Sequence, residues 1–203
     1  MTERFASLNP SERGLLAMLA LPGDTLSKGR LISYLSDAGV KSPAGSHYNP
    51  STLDAVLTGL QRLGCVAQPA SGELSCAPDL QTMALQDAAS QGILCHLAEA
   101  VHSVEGVDLH SGMVFPRSFH NALRMLRIAL LAGGGAERVR KRLRLCADHR
   151  DFQQQHPYLT ICARPFDAAR FALLDRQVQE EVLVELLSDC VTHPESARAL
   201  GDC

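Results

Sequence analysis

The sequence predicts a mainly α-helical protein built from two domains. Leu and Ala are abundant, whereas aromatic residues make up only 4% of the chain and Trp is absent. This composition favours packed helices over sheets, which are rich in β-branched and aromatic residues. With 203 residues, of which 46% are hydrophobic, the chain can form a core and exceeds the usual single-domain size of about 100–150 residues.

Two helices are predicted in the first forty residues. Asn9-Pro10 begins the first, because Asn caps helices well and Pro fits the first helical position. Pro22-Gly23-Asp24 ends it. The second runs from about Ser27 to Gly39, a C-terminal cap residue, and its apolar side consists of Leu31, Ile32 and Leu35.

A third helix and a hairpin follow. Asn49-Pro50 repeats the capped start, and the next apolar residues have the helical spacing i, i+3, i+4, i+7 and i+10: Leu53, Val56, Leu57, Leu60 and Leu63. Two short stretches, residues 65–68 and 73–76, are separated by Pro69-Ala70-Ser71-Gly72, which predicts a β-hairpin closed by Pro78.

Three helices followed by a hairpin resemble a winged helix, a variant of helix-turn-helix, over Pro10 to Ala77. We therefore expect a winged-helix domain at residues 1–78. The resemblance implies that the third helix is a DNA recognition helix presenting Ser51, Thr52, Thr58, Gln61 and Arg62.

Residues 79–203 show helical patterning without strand-like stretches and predict an all-helical domain. A helical bundle, a short α-solenoid and a tetratricopeptide-like array all fit, although no faithful 34-residue repeat is found. A looser stretch at 105–115 and Gly133-Gly134-Gly135 interrupt the pattern. The predicted helices are Leu80–Val101, Pro116–Leu131, Ala136–Gln155, His156–Ala163, Phe166–Leu174 and Arg176–Cys190.

A strongly basic region lies between Arg117 and Arg150, where nine basic residues face only Glu137 and Asp148. Helical spacing predicts that Arg117, Arg124 and Arg127 lie on one side of their helix. It places the five basic residues of the next helix, from Arg138 to Arg144, around the face opposite Val139, Leu143 and Cys146. One interpretation is an anion-binding surface for a nucleic-acid backbone or an acidic protein. The other is a solvated face that pairs with acidic residues of the same chain. We call eight of these nine residues, all except Arg150, the Arg-rich region: Arg117, Arg124, Arg127, Arg138, Arg140, Lys141, Arg142 and Arg144.

The predicted recognition helix is poorly suited to reading DNA sequence. It offers one Arg and one Gln beside Asp54, and Glu73 next to the hairpin tip would repel phosphate. We therefore expect any DNA contact to be non-specific and made through phosphates. The alternatives are a winged helix used for protein contact and a transcriptional regulator whose helical domain dimerises or senses a ligand.

No catalytic motif is present in the sequence. It has no phosphate-binding loop, no G-x-S-x-G and no C-x-x-C, and its eight histidines form neither H-x-x-x-H nor H-E-x-x-H. We expect no enzyme activity, cofactor or metal site. The seven scattered cysteines and the lack of a signal peptide or membrane-length apolar run predict a cytoplasmic protein with reduced thiols and no membrane partner.

A second resemblance spans most of the chain. The segments 4–13, 76–80, 156–159 and 162–167 are similar to the N-terminal region of large bacterial helicase-like ATPases of the Swi/Snf type. The resemblance implies a non-catalytic accessory region ahead of a DNA-translocating motor. The nucleotide-binding and helicase motifs of that family do not occur here, so ATPase activity is not implied. A helix-like start at Pro194 is consistent with continuation into an ATPase domain.

Overall fold

The computed structural model of the chain is mainly α-helical, which confirms the predicted class. It describes residues 3–69, 72–104, 118–131, 135–147, 149–153, 156–162 and 166–193, together with the backbone of 109–110 and 113–114. Residues 1–107 and 108–203 form two compact units. No helix in these ranges combines the length and apolar character needed to cross a bilayer.

The first unit contains six helices and a short hairpin in its described residues. Helix α2 packs on α3 and α5, while α3 also contacts α4 and α6. The elements are α1 (Glu3–Ala6), α2 (Pro10–Ala20), α3 (Lys28–Asp37), α4 (Pro50–Arg62), β1 (Val66–Ala67), β2 (Ser75–Cys76), α5 (Pro78–Ser90) and α6 (Leu94–Val104).

Both predicted Asn-Pro helix starts are confirmed. The Asn9 side chain accepts a hydrogen bond from the Glu12 backbone N–H at 3.0 Å, and the Glu12 carboxylate accepts one from the Asn9 N–H at 2.9 Å. Asn49 and Thr52 form the same reciprocal pair at the start of α4. These capping boxes satisfy N–H groups that the first turn of a helix leaves unpaired.

The predicted hairpin is present, although each strand is only two residues long. Val66 pairs with Cys76 and Ala67 with Ser75, in antiparallel register. An isolated antiparallel bridge joins Leu26, which lies between α2 and α3, to Leu74. Its two N–H···O bonds measure 2.8 and 2.7 Å. The segment between α2 and α3 therefore lies hydrogen-bonded beside the second half of the hairpin.

The predicted helix Leu80–Val101 is wrong, because two helices occupy this stretch. Helix α5 ends at Ser90, and Gly92 adopts a left-handed φ of 72°, a conformation that ends helices and that glycine adopts easily. Helix α5 then packs on α2, and α6 packs on α3. Both helices therefore belong to the first compact unit, which ends at residue 107. The domain boundary predicted from the sequence lies earlier, after Pro78.

The second unit is also helical, but it includes two short strands in a region where the sequence predicts none. Leu109 pairs with Val114 and His110 with Met113. The missed signal is Ser111-Gly112, a dipeptide typical of tight turns. The elements are β3 (Leu109–His110), β4 (Met113–Val114), α7 (Phe119–Leu131), α8 (Gly135–Ala147), a 3₁₀ turn (Arg150–Gln153), α9 (Pro157–Cys162), α10 (Ala168–Phe171) and α11 (Arg176–Thr192).

Three predicted helices of this unit differ in length from the observed ones. Helix α8 ends at Ala147 and does not continue to Gln155. Its end is marked by a change to 3₁₀ hydrogen bonding, in which the His149 N–H donates to the Cys146 carbonyl three residues earlier. Helix α10 has only four residues, and α11 extends two residues beyond Cys190. The helix-like segment from Pro194 lies outside the described residues.

Candidate binding surface

The Arg-rich region lies largely on α7 and α8, which pack against each other. Helix α8 also contacts α11, and α9 contacts both α7 and α11. The buried residues of α8 are Ala136, Val139, Arg142 and Cys146. Burial alone raises the pKa of the Cys146 thiol to about 12, so this thiol stays protonated and unreactive near neutral pH.

Two of the predicted surface arginines are buried instead. Arg124 and Arg142 are each only 8% exposed. Arg142 lies three residues after Val139 and four before Cys146, so helical spacing places it on the core-facing side. Arg124 shares the buried side of α7 with Ile128 and Leu131 in the same way. The prediction that Arg142 lies on the exposed side of α8 is therefore wrong.

Arg140 joins α8 to α11 through an ion pair. Its guanidinium lies 2.5 to 2.6 Å from Oε1 of Glu181, and the hydroxyl of buried Tyr158 donates to Oε2 of the same carboxylate at 3.1 Å. Burial, reinforced by Glu181, raises the pKa of Tyr158, which remains a neutral donor. Part of the basic charge is thus balanced within the second unit, as the second sequence interpretation proposes.

Two other members of the Arg-rich region do not belong to an open cationic surface. Arg127 and Arg138 are half-buried and, like Arg124 and Arg142, take part in interactions within the protein. Arg127 borders a small pocket between α7, α9 and α10, whose lining also includes Arg170 and Cys162. Burial raises the pKa of the Cys162 thiol to about 11, against the opposing effect of the two arginines. Arg117 lies outside the described residues.

The exposed cations of α8 are Arg140, Lys141 and Arg144, which we call the α8 basic face. Lys141 and Arg144 are three residues apart and therefore neighbours on the helix surface. Neither has an ion-pair partner in the part of the chain that the structure describes. Arg150, in the following 3₁₀ turn, is also exposed. The accessible basic surface is much smaller than the sequence suggests.

The predicted recognition helix, α4, uses much of its polar surface locally. Thr52 belongs to the N-terminal capping box, the Thr58 hydroxyl donates to the Asp54 carbonyl at 2.8 Å, and the Gln61 amide donates to Gln68 at 2.9 Å. Lys28 of α3 pairs with the Asp54 carboxylate at 2.7 Å. Ser51 and Arg62 are exposed, so α4 offers a single cation to a nucleic acid.

Helix α11 has an exposed apolar surface that the sequence-based predictions do not include. Leu183, Val184, Leu187 and Val191 are 44%, 64%, 66% and 81% exposed, and we call them the α11 apolar stripe. The opposite side of the helix is also apolar, with Val178, Val182 and Leu186 buried. The signal was present in the sequence, because a helix with apolar residues on two sides has more hydrophobic surface than one core can cover.

Within the described ranges, no three His, Cys, Asp or Glu side chains come together in a way that could hold a metal ion. The α8 basic face and the adjoining helix α11, both described above, form the candidate surface. Comparisons with protein-family models, curated proteins and solved structures find no match to this chain.

Proposed function

We propose that the chain is a non-catalytic binding module that holds an acidic protein partner through the α8 basic face. The observation that supports this is the exposure of Lys141 and Arg144 on one side of α8 without ion-pair partners among the described residues. Arg140, beside them, is half exposed even while bound to Glu181. A planar guanidinium can bind a partner carboxylate through two parallel hydrogen bonds.

An acidic protein fits this surface better than a nucleic-acid backbone. Affinity for a nucleic-acid backbone grows with the number of phosphates that Lys and Arg neutralise, about 6–10 in a strongly salt-dependent case. Of the Arg-rich region, two members are buried and two are half-buried. The three cations of the α8 basic face match a local cluster of carboxylates, which a folded acidic surface or an acidic helix can present.

For the first unit, we propose the winged-helix fold. The support is the Leu26–Leu74 bridge, because a third extended segment between the first two helices of the domain would complete the small sheet of such a fold. In this proposal α4 corresponds to the recognition helix. In line with the resemblance to Swi/Snf-type ATPases, we propose that the module is an accessory region that precedes a DNA-translocating motor domain.

A second candidate function follows from the same bridge. If the first unit is a winged helix that reads DNA, the protein is a transcriptional regulator and the helical unit dimerises or senses a ligand. The exposed cations that could contact DNA in this second function are Arg62 on α4 and Lys41 in the loop before it. The backbone of Lys41 forms an antiparallel bridge with that of His47. The two functions place the essential charges in different units.

A matched pair of double variants separates the two candidates. Lys141→Glu with Arg144→Glu changes the second unit, and Lys41→Glu with Arg62→Glu changes the first by the same number of charges. The probes are labelled poly-L-glutamate and a random-sequence DNA duplex, followed by fluorescence anisotropy at low salt. We expect poly-L-glutamate to bind the intact chain and the Lys41 and Arg62 variant equally, and to bind the Lys141 and Arg144 variant at least about tenfold more weakly. Tighter binding to DNA, lost only in the Lys41 and Arg62 variant, would favour the regulator.

A further inference from the structure

The exposed apolar residues of the protein are concentrated on one helix. Five large hydrophobic side chains are exposed among the described residues, and four of them form the α11 apolar stripe. The fifth, Leu63, lies at the end of α4 and is 43% exposed. Single exposed hydrophobic residues are common on protein surfaces, whereas a contiguous group usually marks an interaction site.

The spacing of the stripe makes it continuous along α11. Val184, Leu187 and Val191 are separated by three and four residues, so they lie on one side of the helix. Leu183, four residues before Leu187, is a neighbour of Leu187 at the edge of that side. From Leu183 to Val191 the stripe covers about 12 Å at 1.5 Å per residue. This length matches the i, i+3, i+4 and i+7 anchor residues of an amphipathic helix that docks through one face.

The α8 basic face is linked to this stripe through Glu181 of α11. Glu181 precedes Val184 by three residues and is therefore its neighbour on the surface of α11. The same Glu181 holds Arg140 in the ion pair described above, and Arg144 lies one helical turn beyond Arg140. The α11 apolar stripe and the α8 basic face are therefore connected at the Arg140–Glu181 pair.

We propose that this combined surface docks an amphipathic helix of an acidic partner. Its apolar anchors would cover the α11 apolar stripe, and carboxylates along one edge would face the α8 basic face. The inference rests on the proposed function and specifies the partner. Charge complementarity supports this occupant, because Glu180 and Glu181 of α11 already pair with Arg176 and Arg140, whereas Lys141 and Arg144 have no ion-pair partner among the described residues.

The test uses three labelled synthetic helices of about 18 residues, or five turns. The first has Leu at i, i+3, i+4 and i+7 with Glu along one edge. The second replaces those Glu residues by Lys, and the third replaces the four Leu residues by Ser. We expect the intact chain to bind the first helix at least about tenfold more tightly than either control in fluorescence anisotropy.

Two variants of the protein assign this binding to the stripe. Leu187→Ser with Val191→Ser should weaken binding of the first helix at least about tenfold. Because both side chains are exposed, the melting temperature should change little. Leu63→Ser removes an exposed hydrophobic residue outside the stripe and should leave binding unchanged.

The outcomes separate this inference from the proposed function. One outcome is that the Lys141→Glu and Arg144→Glu variant no longer binds the first helix while the Leu187→Ser and Val191→Ser variant still does. In that case the proposed docking on the α11 apolar stripe is wrong, and the proposed acidic partner is retained. If only the apolar variant loses binding, the acidic class of partner is wrong, and the proposed function fails with it. Equal binding of all three helices overturns the inference. A dimer seen in analytical ultracentrifugation and abolished by Leu187→Ser with Val191→Ser would assign the stripe to self-association instead.

Discussion

The two units of the molecule differ in what they bury and what they expose. In the described part of the first unit, Ser42 is the only buried polar residue, and Leu63 is the only large hydrophobic residue that is exposed. The second unit buries Arg124 and Arg142 and exposes the four residues of the α11 apolar stripe. Burying a charge costs folding free energy, and hydrophobic surface that stays exposed adds none. The second unit therefore carries the features that stability alone does not explain.

The largest expected effect concerns the buried arginine of α8. Arg142→Glu would place a carboxylate where the protein now holds a guanidinium, and we expect the second unit to lose about 3–5 kcal/mol of unfolding free energy, as when buried charges lose their compensation. The matched change Arg144→Glu lies on the exposed side of the same helix and should cost no more than about 0.5 kcal/mol. Urea unfolding followed by circular dichroism measures both. Similar losses for the two variants would mean that Arg142 is not buried.

A comparable test addresses the apolar core of the first unit. Leu60 of α4 is fully buried, whereas Leu63, one turn later, is 43% exposed. We expect Leu60→Ala to lower the unfolding free energy by about 2–5 kcal/mol through lost burial and a residual cavity, and Leu63→Ala by less than about 1 kcal/mol. Urea unfolding again provides the measurement. A larger loss for Leu63→Ala would contradict the observed orientation of α4.

A smaller effect is expected at the start of α4. Asn49→Ala removes one half of the capping box with Thr52 and should cost about 0.5–2 kcal/mol. Ser51 lies in the first turn of the same helix, and its side chain is not part of the box, so Ser51→Ala is the control. Thermal unfolding should show a lower melting temperature for Asn49→Ala alone. Equal melting temperatures would show that the cap contributes little.

The smallest predicted effect is a pH dependence confined to the second unit. Burial lowers the pKa of His156 below its usual value of 6.5, although Glu185, 4.0 Å away, opposes the shift. The unfolded chain therefore takes up a proton at higher pH than the folded one. This contribution to stability is fully present well above pH 6.5 and decreases as pH falls through 6.5 towards the lower pKa of the folded state. Melting temperatures of the intact chain and His156→Gln, measured from neutral to mildly acidic pH, should converge as pH falls. Parallel curves would contradict the assignment.

Much of the first unit could be predicted from sequence because its signals are local. Asn-Pro at both helix starts and the apolar spacing from Leu53 to Leu60 each specify structure within a few residues. The break at Gly92 was less predictable, because apolar residues on both sides of it continue the helical pattern, and tertiary packing of α5 on α2 and of α6 on α3 accompanies the turn.

The candidate surface was harder to predict because it depends on which side of each helix is covered. Composition identified the excess of cations, but the burial of Arg142 depends on the neighbours of α8. The Arg140–Glu181 pair joins residues 41 positions apart and has no local signal. The α11 apolar stripe has a recognisable pattern, yet only packing shows that Val178, Val182 and Leu186 fill the core while the other side stays exposed.

Hydrogen–deuterium exchange of the intact chain, with and without the acidic amphipathic helix, tests the central claim most directly. The measurement shows which backbone amides a bound partner protects. We predict added protection in α8 and α11, with no change in α4 or in the hairpin of the first unit. Protection confined to α4 and the hairpin would contradict the account and assign binding to the first unit.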